Sequence, residues 1–158
     1  MLKDLVIKSR SYRRFKQNYE ISRSELLQLI KLAQFSPTGM NLQPLKFYLS
    51  NSPGENARIF PTLGWAAYLK DWGGPIEGER PSAYIIILGD KSIKTNFGID
   101  HGIAAQSILL GATEMGLGGC MMAGLRRGRL QTELEIPNQY EILLVIALGK
   151  PIENVILE

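Results

Sequence analysis

"AYIIILG", Ala83–Gly89, is an uninterrupted run of apolar residues built around three isoleucines. A strand with one face in water alternates apolar and polar residues, whereas a continuous apolar run predicts a strand buried on both faces. A second such run, "EILLVIAL", occupies Glu141–Leu148. Together the two runs predict a sheet whose central strands are covered by helices on both sides.

The helices that would cover this sheet flank the first run. Ser22 and Glu25 form a capping box, and apolar residues then recur at helical spacing until Ser36-Pro37 ends the pattern. Phe97–Met115 is predicted to be a nearly buried helix with one narrow polar stripe. The other predicted elements are a short helix over Asp4–Arg10, a strand over Leu45–Ser50 and a helix around Arg129–Leu134.

The segment Asn51–Pro81 is rich in glycine and proline and carries the weakest pattern. Its aromatic centre, "LGWAAYLKDWGG", favours one or two helical turns. Two interpretations are open for the segment as a whole. It is either a lid over a site or an ordinary surface excursion packed by Trp65 and Trp72.

The composition is that of an ordinary globular protein. The chain has 158 residues, of which 45% are hydrophobic and 21% charged, so we expect a single domain spanning residues 1–158. One cysteine and one histidine cannot form an internal disulfide or a Cys/His zinc cluster, and we predict no metal site. The lack of a disulfide partner fits a reducing, cytoplasmic setting, and because no apolar run reaches about 18 residues we expect no membrane partner.

Positive charge is concentrated around "SRSYRRF", Ser9–Phe15. A solvated face, nucleic-acid binding and a local anion site are all compatible with such a cluster. The net charge of the whole chain is only +3, which argues against the wide basic surface that nucleic acid requires, so we expect no nucleic-acid partner. A local anion site fits best. The clustered residues are Lys8, Arg10, Arg13, Arg14 and Lys16.

Common catalytic motifs do not fit the chain. Gly116-Leu117-Gly118 closes a helix and opens a strand, the reverse of a dinucleotide-binding turn, and Met121 takes the place of the third glycine. No P-loop or nucleophile signature is present, and we expect a structural role for His101, which has no paired acid. We therefore predict no side chain acting as catalytic acid, base or nucleophile.

Four segments in order resemble the FMN-dependent nitroreductases. They are "RSYRRF", "SPTGMNLQPLKFY", "DHGIAAQSILLGATEMGLGGCMM" and "LLVIALGKP", and they span nearly the whole chain. The resemblance implies an α+β fold of three α/β/α layers with a central mixed, mainly antiparallel sheet. It also implies a homodimer that holds FMN at the subunit interface.

The resemblance assigns candidate flavin ligands as well. Arg10, Ser11 and one or both of two further arginines match the segment whose guanidinium and hydroxyl donors bind phosphate or the pyrimidine edge of flavin. A polar loop matches the one that reaches flavin from the partner subunit, and a glycine-containing segment matches the one that passes the ring. Lys150 is either a further phosphate ligand or an exposed lysine. The two arginines are Arg13 and Arg14, the loop residues are Pro37, Thr38, Asn41 and Gln43, and the ring residues are Leu117, Gly118 and Gly119.

The activity that the resemblance implies is a two-step oxidoreductase reaction. NADH or NADPH would reduce FMN by hydride transfer, and a small electron acceptor such as a nitroaromatic or a quinone would then be reduced in a ping-pong cycle. The alternative is a non-enzymatic protein that binds flavin for storage or sensing. Turnover of NAD(P)H distinguishes the two.

Overall fold

The computed structural model describes residues 1–157 as five helices around a four-stranded sheet. Two short 3₁₀ turns, Gly39–Asn41 and Phe60–Thr62, lie in the connections. The helices are α1 (Leu2–Lys8), α2 (Arg23–Gln34), α3 (Pro53–Ile59), α4 (Asp100–Glu114) and α5 (Arg127–Glu133). The strands are β1 (Leu45–Ser50), β2 (Ala83–Asp90), β3 (Gly118–Met122) and β4 (Tyr140–Gly149).

The sheet has the strand order β1-β2-β4-β3, and its neighbouring strands pair antiparallel. The two apolar runs form its centre, because β2 and β4 pair along their length with one irregularity at Ile87/Leu88. Every residue of β2 is buried, as its sequence predicts. The expectation of a mixed, mainly antiparallel sheet agrees with this pairing, and within residues 1–157 the parallel part is confined to a bridge between Ser11 and Gly119.

Two apolar cores lie on opposite faces of the sheet. Ile85 and Ile87 face a core shared with α2 and α4, while Tyr84 and Ile86 face a core shared with α3 and α5. Alternate residues of β2 therefore enter opposite cores, which is why Ala83–Gly89 is apolar throughout. The three-layer α/β/α arrangement expected from the sequence is confirmed.

The predicted helices are present with shifted ends. The capping box of Ser22 and Glu25 begins α2, but α1 ends at Lys8, two residues earlier than predicted, so Arg10 lies outside it. The helix after β2 begins only at Asp100, because Gly98 adopts a left-handed backbone with φ 53°. No helix in residues 1–157 is long and apolar enough to cross a membrane.

The middle segment differs from its prediction. "LGWAAYLKDWGG" forms turns rather than helix. The helix of this region, α3, lies upstream, and its N-cap is Ser52, whose hydroxyl accepts the backbone N–H of Glu55. Tertiary contacts account for the difference. Trp65 is buried between Phe60 and Trp72, and the Gly64 N–H donates to the Gly124 carbonyl at 2.8 Å, which holds the chain extended.

Candidate functional site

The arginine segment, defined here as residues 9–15, lies along the outer edge of β3. The Tyr12 N–H donates to the Gly119 carbonyl at 3.0 Å, and the Ile152 N–H donates to the Arg14 carbonyl at 3.2 Å. Phe15 is fully buried and anchors the far end of the segment. The segment is therefore held between β3 and the chain that follows β4, and its arginines start from fixed backbone positions.

The three guanidinium groups are engaged to different degrees. Arg10 donates to two carbonyls of its own stretch, Ser9 and Val6, each at 2.7 Å. Arg14 faces Glu79 at 3.7 Å and stacks 5.7 Å from the centre of the Trp72 ring. Those contacts draw Arg14 toward the middle segment.

Arg13 makes a single side-chain contact among the described residues, a 3.1 Å hydrogen bond from Nη1 to the Ser11 carbonyl. A guanidinium has five N–H donors in a planar fork, so most of those of Arg13 remain free for an anion. Of the two adjacent arginines, Arg13 is the better candidate ligand on these contacts.

Glu153 contacts the arginine segment from the chain after β4. Its carboxylate accepts hydrogen bonds from the backbone N–H groups of Arg13 and Arg14. The side chain therefore fixes the backbone at the candidate ligands rather than pairing with their guanidiniums. Sequence reasoning missed Glu153, because a glutamate 140 residues away in the chain gives no local signal.

Lys150 has a structural contact of its own. Its Nζ donates to the Gly116 carbonyl at 2.8 Å, just beyond the C-terminus of α4. A cation at this position also interacts favourably with the carbonyl end of the helix dipole. Two of the three Nζ protons are not used in this bond, so Lys150 stays a predicted phosphate ligand with a second, structural role.

The predicted ring segment has packing reasons for its small residues. A Cβ on Gly118 would come within 2.5 Å of both Tyr12 and Pro151, and one on Gly119 would come within 2.6 Å of the Ala147 carbonyl oxygen. Leu117 is 3% exposed and belongs to the core. The arginine segment therefore needs glycine beneath it, and flavin contact at these positions stays a prediction.

The polar loop, residues 36–44, is a tight turn that exposes its amides. Gln43 donates from its backbone N–H to Thr38 Oγ1 at 3.0 Å and from Nε2 to Asn41 Oδ1 at 3.1 Å. Met40, Asn41 and Gln43 have φ values of 53°, 54° and 52°, a left-handed backbone that is uncommon for these residue types. Strain of this kind persists where surrounding contacts hold the loop, and it is concentrated at functional sites.

Asp100, the first residue of α4, supplies those surrounding contacts. Its Oδ1 accepts the Gly39 N–H at 2.9 Å, and its Oδ2 pairs with Lys94 Nζ at 2.7 Å. Burial alone would raise the pKa of Asp100, but the hydrogen bonds from Lys94 and Gly39 outweigh it and hold that pKa below its ordinary value. Neither Asp100 nor Lys94 was among the predicted site residues.

Two ionisable groups elsewhere, the buried Cys120 and the half-buried Tyr48, are poorly suited to proton transfer at neutral pH. Burial raises the pKa of the Cys120 thiol. Burial and a hydrogen bond to Glu55 raise the pKa of Tyr48 to about 12. Both groups therefore stay protonated at neutral pH.

Within one chain the arginine segment and the polar loop are far apart. The loop contacts Asp100 at the start of α4, whereas the arginine segment contacts Gly119, beyond the end of that helix. The helix between these two contacts is about 21 Å long at 1.5 Å per residue. The predicted ligands therefore fall into two groups, one at each end of α4.

A family model described as "Nitroreductase family" matches residues 7–73 and 76–150. The chain belongs to the nitroreductase family. YodC of Bacillus subtilis strain 168, provisionally named an NAD(P)H nitroreductase, is 24% identical over 179 aligned residues that cover 94% of this chain and 89% of YodC. The family assignment confirms the predicted resemblance and the expectation of an oxidoreductase enzyme.

Solved structures share the fold of this nitroreductase. The FMN-dependent nitroreductase from Clostridium difficile R20291 aligns with a TM-score of 0.75 at 24% identity, covering 96% of this chain and 88% of that one. The nitroreductase family protein from Streptococcus pneumoniae TIGR4 aligns with a TM-score of 0.83 at 15% identity, covering 100% and 94%. At these sequence identities the structural similarity supports the fold alone.

Proposed function

We propose that this nitroreductase is an FMN-dependent NAD(P)H oxidoreductase whose flavin site is shared between two copies of the chain. One observation carries the proposal: the two groups of predicted ligands contact opposite ends of α4, and a second copy of the chain could bring the loop of one copy to the arginine segment of the other. A two-fold dimer places complementary regions of its two copies against each other, which forms two equivalent sites. The arginine segment of one copy would then face the polar loop of the other.

The donors at the two regions fit FMN in chemical type. Free guanidinium N–H groups of Arg13 suit phosphate or the pyrimidine edge, and Asn41 and Gln43 are exposed amides that offer both donors and acceptors. FMN, when bound, supplies the redox chemistry by taking up hydride from NADH or NADPH and passing it to an acceptor. FMN must be held in one orientation and its negative charge must be stabilised, and the guanidinium donors of the arginine segment suit both tasks.

In this scheme the residues of the chain bind FMN and orient it. A guanidinium near the pyrimidine edge would stabilise negative charge there and so favour reduction. NAD(P)H and the acceptor would occupy the same space in turn, which is the origin of the proposed ping-pong order. Nitroaromatics and quinones are the proposed acceptor classes, because either can take a hydride from reduced flavin and the remaining proton from water, so no acid or base held by the protein is needed.

Exposed apolar side chains around the polar loop support the dimer. Phe35, just before the loop, is 80% exposed, and Met40, within the loop, is 88% exposed. Ile99, which precedes Asp100 at the start of α4, is 74% exposed. Large apolar groups clustered beside polar ones are typical of a surface that another protein covers. A second copy of this chain would cover them while delivering the loop to the flavin.

Complementation between two inactive variants tests the shared site. One variant carries Arg10→Ala and Arg13→Ala, the other carries Asn41→Ala and Gln43→Ala, and each is first shown to fold and to be inactive as a homodimer. Co-expression with two different affinity tags yields the mixed dimer, in which all four substitutions fall in one site and the other site is intact. NAD(P)H oxidation with a quinone should return to about half of the parent rate per dimer. A verified mixed dimer with no more activity than either homodimer would disprove the shared site.

Flavin binding without turnover is the alternative that the sequence leaves open. The family assignment favours an enzyme instead, and a scarcity of catalytic side chains is equally expected of an enzyme working through FMN. Steady-state NADH and NADPH oxidation by the flavin-loaded protein distinguishes the two, since a binding protein would reduce no acceptor.

A further inference from the structure

A cavity of about 980 Å³ lies at the end of the sheet where β1 ends and β2 begins. Residues 17–22, the first half of α3 and the segment entering β2 form its walls, and none of the proposed flavin ligands is among the described residues that line it. Its volume is in the range of sites for small organic molecules. The cavity is therefore separate from the site considered above.

Arg80 presents a partly unused guanidinium to this cavity. The group stacks 4.2 Å from the centre of the Phe60 ring, and its Nη1 pairs with Glu77 Oε2 at 2.7 Å. Its Nε is buried and has no hydrogen-bond partner within residues 1–157. Buried donors are nearly always paired in folded proteins, so the Nε of Arg80 lacks an acceptor that a ligand reaching this edge of the guanidinium would supply.

Ser82 adds a second unused group to the same wall. The residue is 9% exposed and lines the cavity, and its hydroxyl has no partner among the described residues. Its backbone is fixed at the entrance to β2, because the Ser82 carbonyl accepts from Asn56 Nδ2 at 2.8 Å and its N–H donates to the Leu148 carbonyl at 3.0 Å. Arg80 and Ser82, two residues apart, thus offer donors from fixed positions.

The charged residues around the cavity indicate which class of ligand would accept hydrogen bonds from Arg80 and Ser82. The charged residues on its described wall are Arg80, Glu20 and Glu77, so the wall carries more negative than positive charge. This balance disfavours a divalent phosphate more than a singly charged carboxylate. The Nε and Nη2 edge of a guanidinium matches the two oxygens of a carboxylate. We propose that the cavity binds a small organic carboxylate with a compact apolar body, whose oxygens contact Arg80 and Ser82 and whose body packs on Phe60 and Tyr84.

The test uses 3-methylbutanoate as the probe, with 3-methylbutanamide as its neutral counterpart. The purified full-length protein, with the flavin it carries, is titrated by calorimetry, and ¹H–¹⁵N NMR locates the perturbed amides. Saturable binding should perturb Arg80, Ser82 and Asn56, and the amide should bind at least about tenfold more weakly, since it lacks the charge. Binding of the amide as tight as that of the acid, or preference for inorganic phosphate, would overturn the carboxylate assignment.

Two variants and one control complete the design. Arg80→Lys keeps the charge but removes the planar fork, and we expect roughly tenfold weaker binding or more. Ser82→Ala, which needs no change of backbone, should weaken binding independently. Arg58→Lys alters an arginine of α3 that does not line the cavity and should bind like the parent. Absence of saturable binding to the parent, or affinities that neither Arg80→Lys nor Ser82→Ala changes, would overturn the proposal.

Discussion

The Gly39 N–H donates to Asp100 Oδ1 at 2.9 Å, which ties the polar loop to the first residue of the long buried helix α4. The loop contains three non-glycine residues with a left-handed backbone, so it needs an external contact to keep this shape. Lys94 holds the other oxygen of the same carboxylate at 2.7 Å. Loop and helix are therefore joined as one unit, and the exposed amides of the loop are positioned through a residue outside the predicted ligand set.

Asp100→Asn should loosen this unit. The amide retains an oxygen for Gly39 but loses the charge that holds Lys94, and removal of one partner from such a pair typically costs about 1–3 kcal/mol of unfolding free energy. Urea unfolding measures the stability, and FMN titration measures the effect on the site, which should bind more weakly. Asp71→Asn, at an exposed aspartate, is the control. Unchanged stability and FMN affinity in Asp100→Asn would show that Asp100 does not hold the loop.

The same carboxylate predicts sensitivity to acid. The pKa of Asp100 is held below its ordinary value of 3.8, so its stabilising contribution is present above that value and is lost as pH falls through the lowered pKa. Urea midpoints measured from pH 6 down to the acid transition should fall more steeply for the parent than for Asp100→Asn. Asp90, whose pKa is also lowered, through hydrogen bonds from Ser92 and Gln139, leaves a shared residual slope. Parallel curves for parent and variant would contradict the prediction.

The layers of the fold follow from the sequence because burial leaves a direct pattern. Strands β2 and β4 are continuous apolar runs, and the capping box of Ser22 marks the start of α2 to the residue. The middle segment could not be predicted in the same way. Its shape depends on Trp65 and on the backbone contact of Gly64 with Gly124, and contacts between distant residues leave no periodicity to detect.

The candidate site was predictable as two groups of ligands but not as an arrangement. Arg13 and Asn41 were identified by resemblance, whereas their separation along α4 required the structure. Asp100 and Glu153 were missed because each acts on backbone N–H groups of a distant segment. Nothing in the local sequence distinguishes such a carboxylate from a solvated one.

Arg13 and Arg14 should differ in their effect on flavin binding. Arg14 is drawn toward Glu79 and Trp72, whereas most donors of Arg13 are free, so Arg13→Ala should weaken FMN binding about tenfold or more and Arg14→Ala should weaken it less. Fluorescence titrations with FMN and with riboflavin measure both affinities. For Arg13→Ala the preference of the parent for FMN over riboflavin should shrink if the contact is to phosphate. The opposite ranking would assign the ligand role to Arg14.

Gly118 should tolerate no side chain. A Cβ there would lie 2.5 Å from both Tyr12 and Pro151, so Gly118→Ala must displace the arginine segment, with an expected loss of about 1–3 kcal/mol in unfolding free energy. Gly128→Ala in α5 is the matched control, because its Cβ meets nothing within 4 Å and alanine favours helix. Thermal unfolding compares the two. A Gly118→Ala protein as stable as Gly128→Ala would refute the packing account of the glycine.

Glu153 should influence flavin binding through the backbone of the arginine segment. Its carboxylate accepts from the N–H groups of Arg13 and Arg14, so Glu153→Ala removes the acceptor and frees the segment, whereas Glu153→Gln keeps an oxygen in place. A lost hydrogen bond to a charged group is worth about 1.5–3 kcal/mol, which sets an upper range of roughly 13- to 160-fold weaker FMN binding for the alanine variant.

The glutamine variant separates position from charge. If Glu153 acts by holding the backbone, Glu153→Gln should bind FMN at least as tightly as the parent, because it retains an acceptor and removes a negative charge near the proposed phosphate ligands. Riboflavin, which lacks phosphate, should not share any gain from the lost charge. Glu141→Gln, at an exposed position of β4, controls for the change in net charge. Equal weakening by alanine and glutamine would mean that the carboxylate charge itself, and not its hold on the backbone, supports the site.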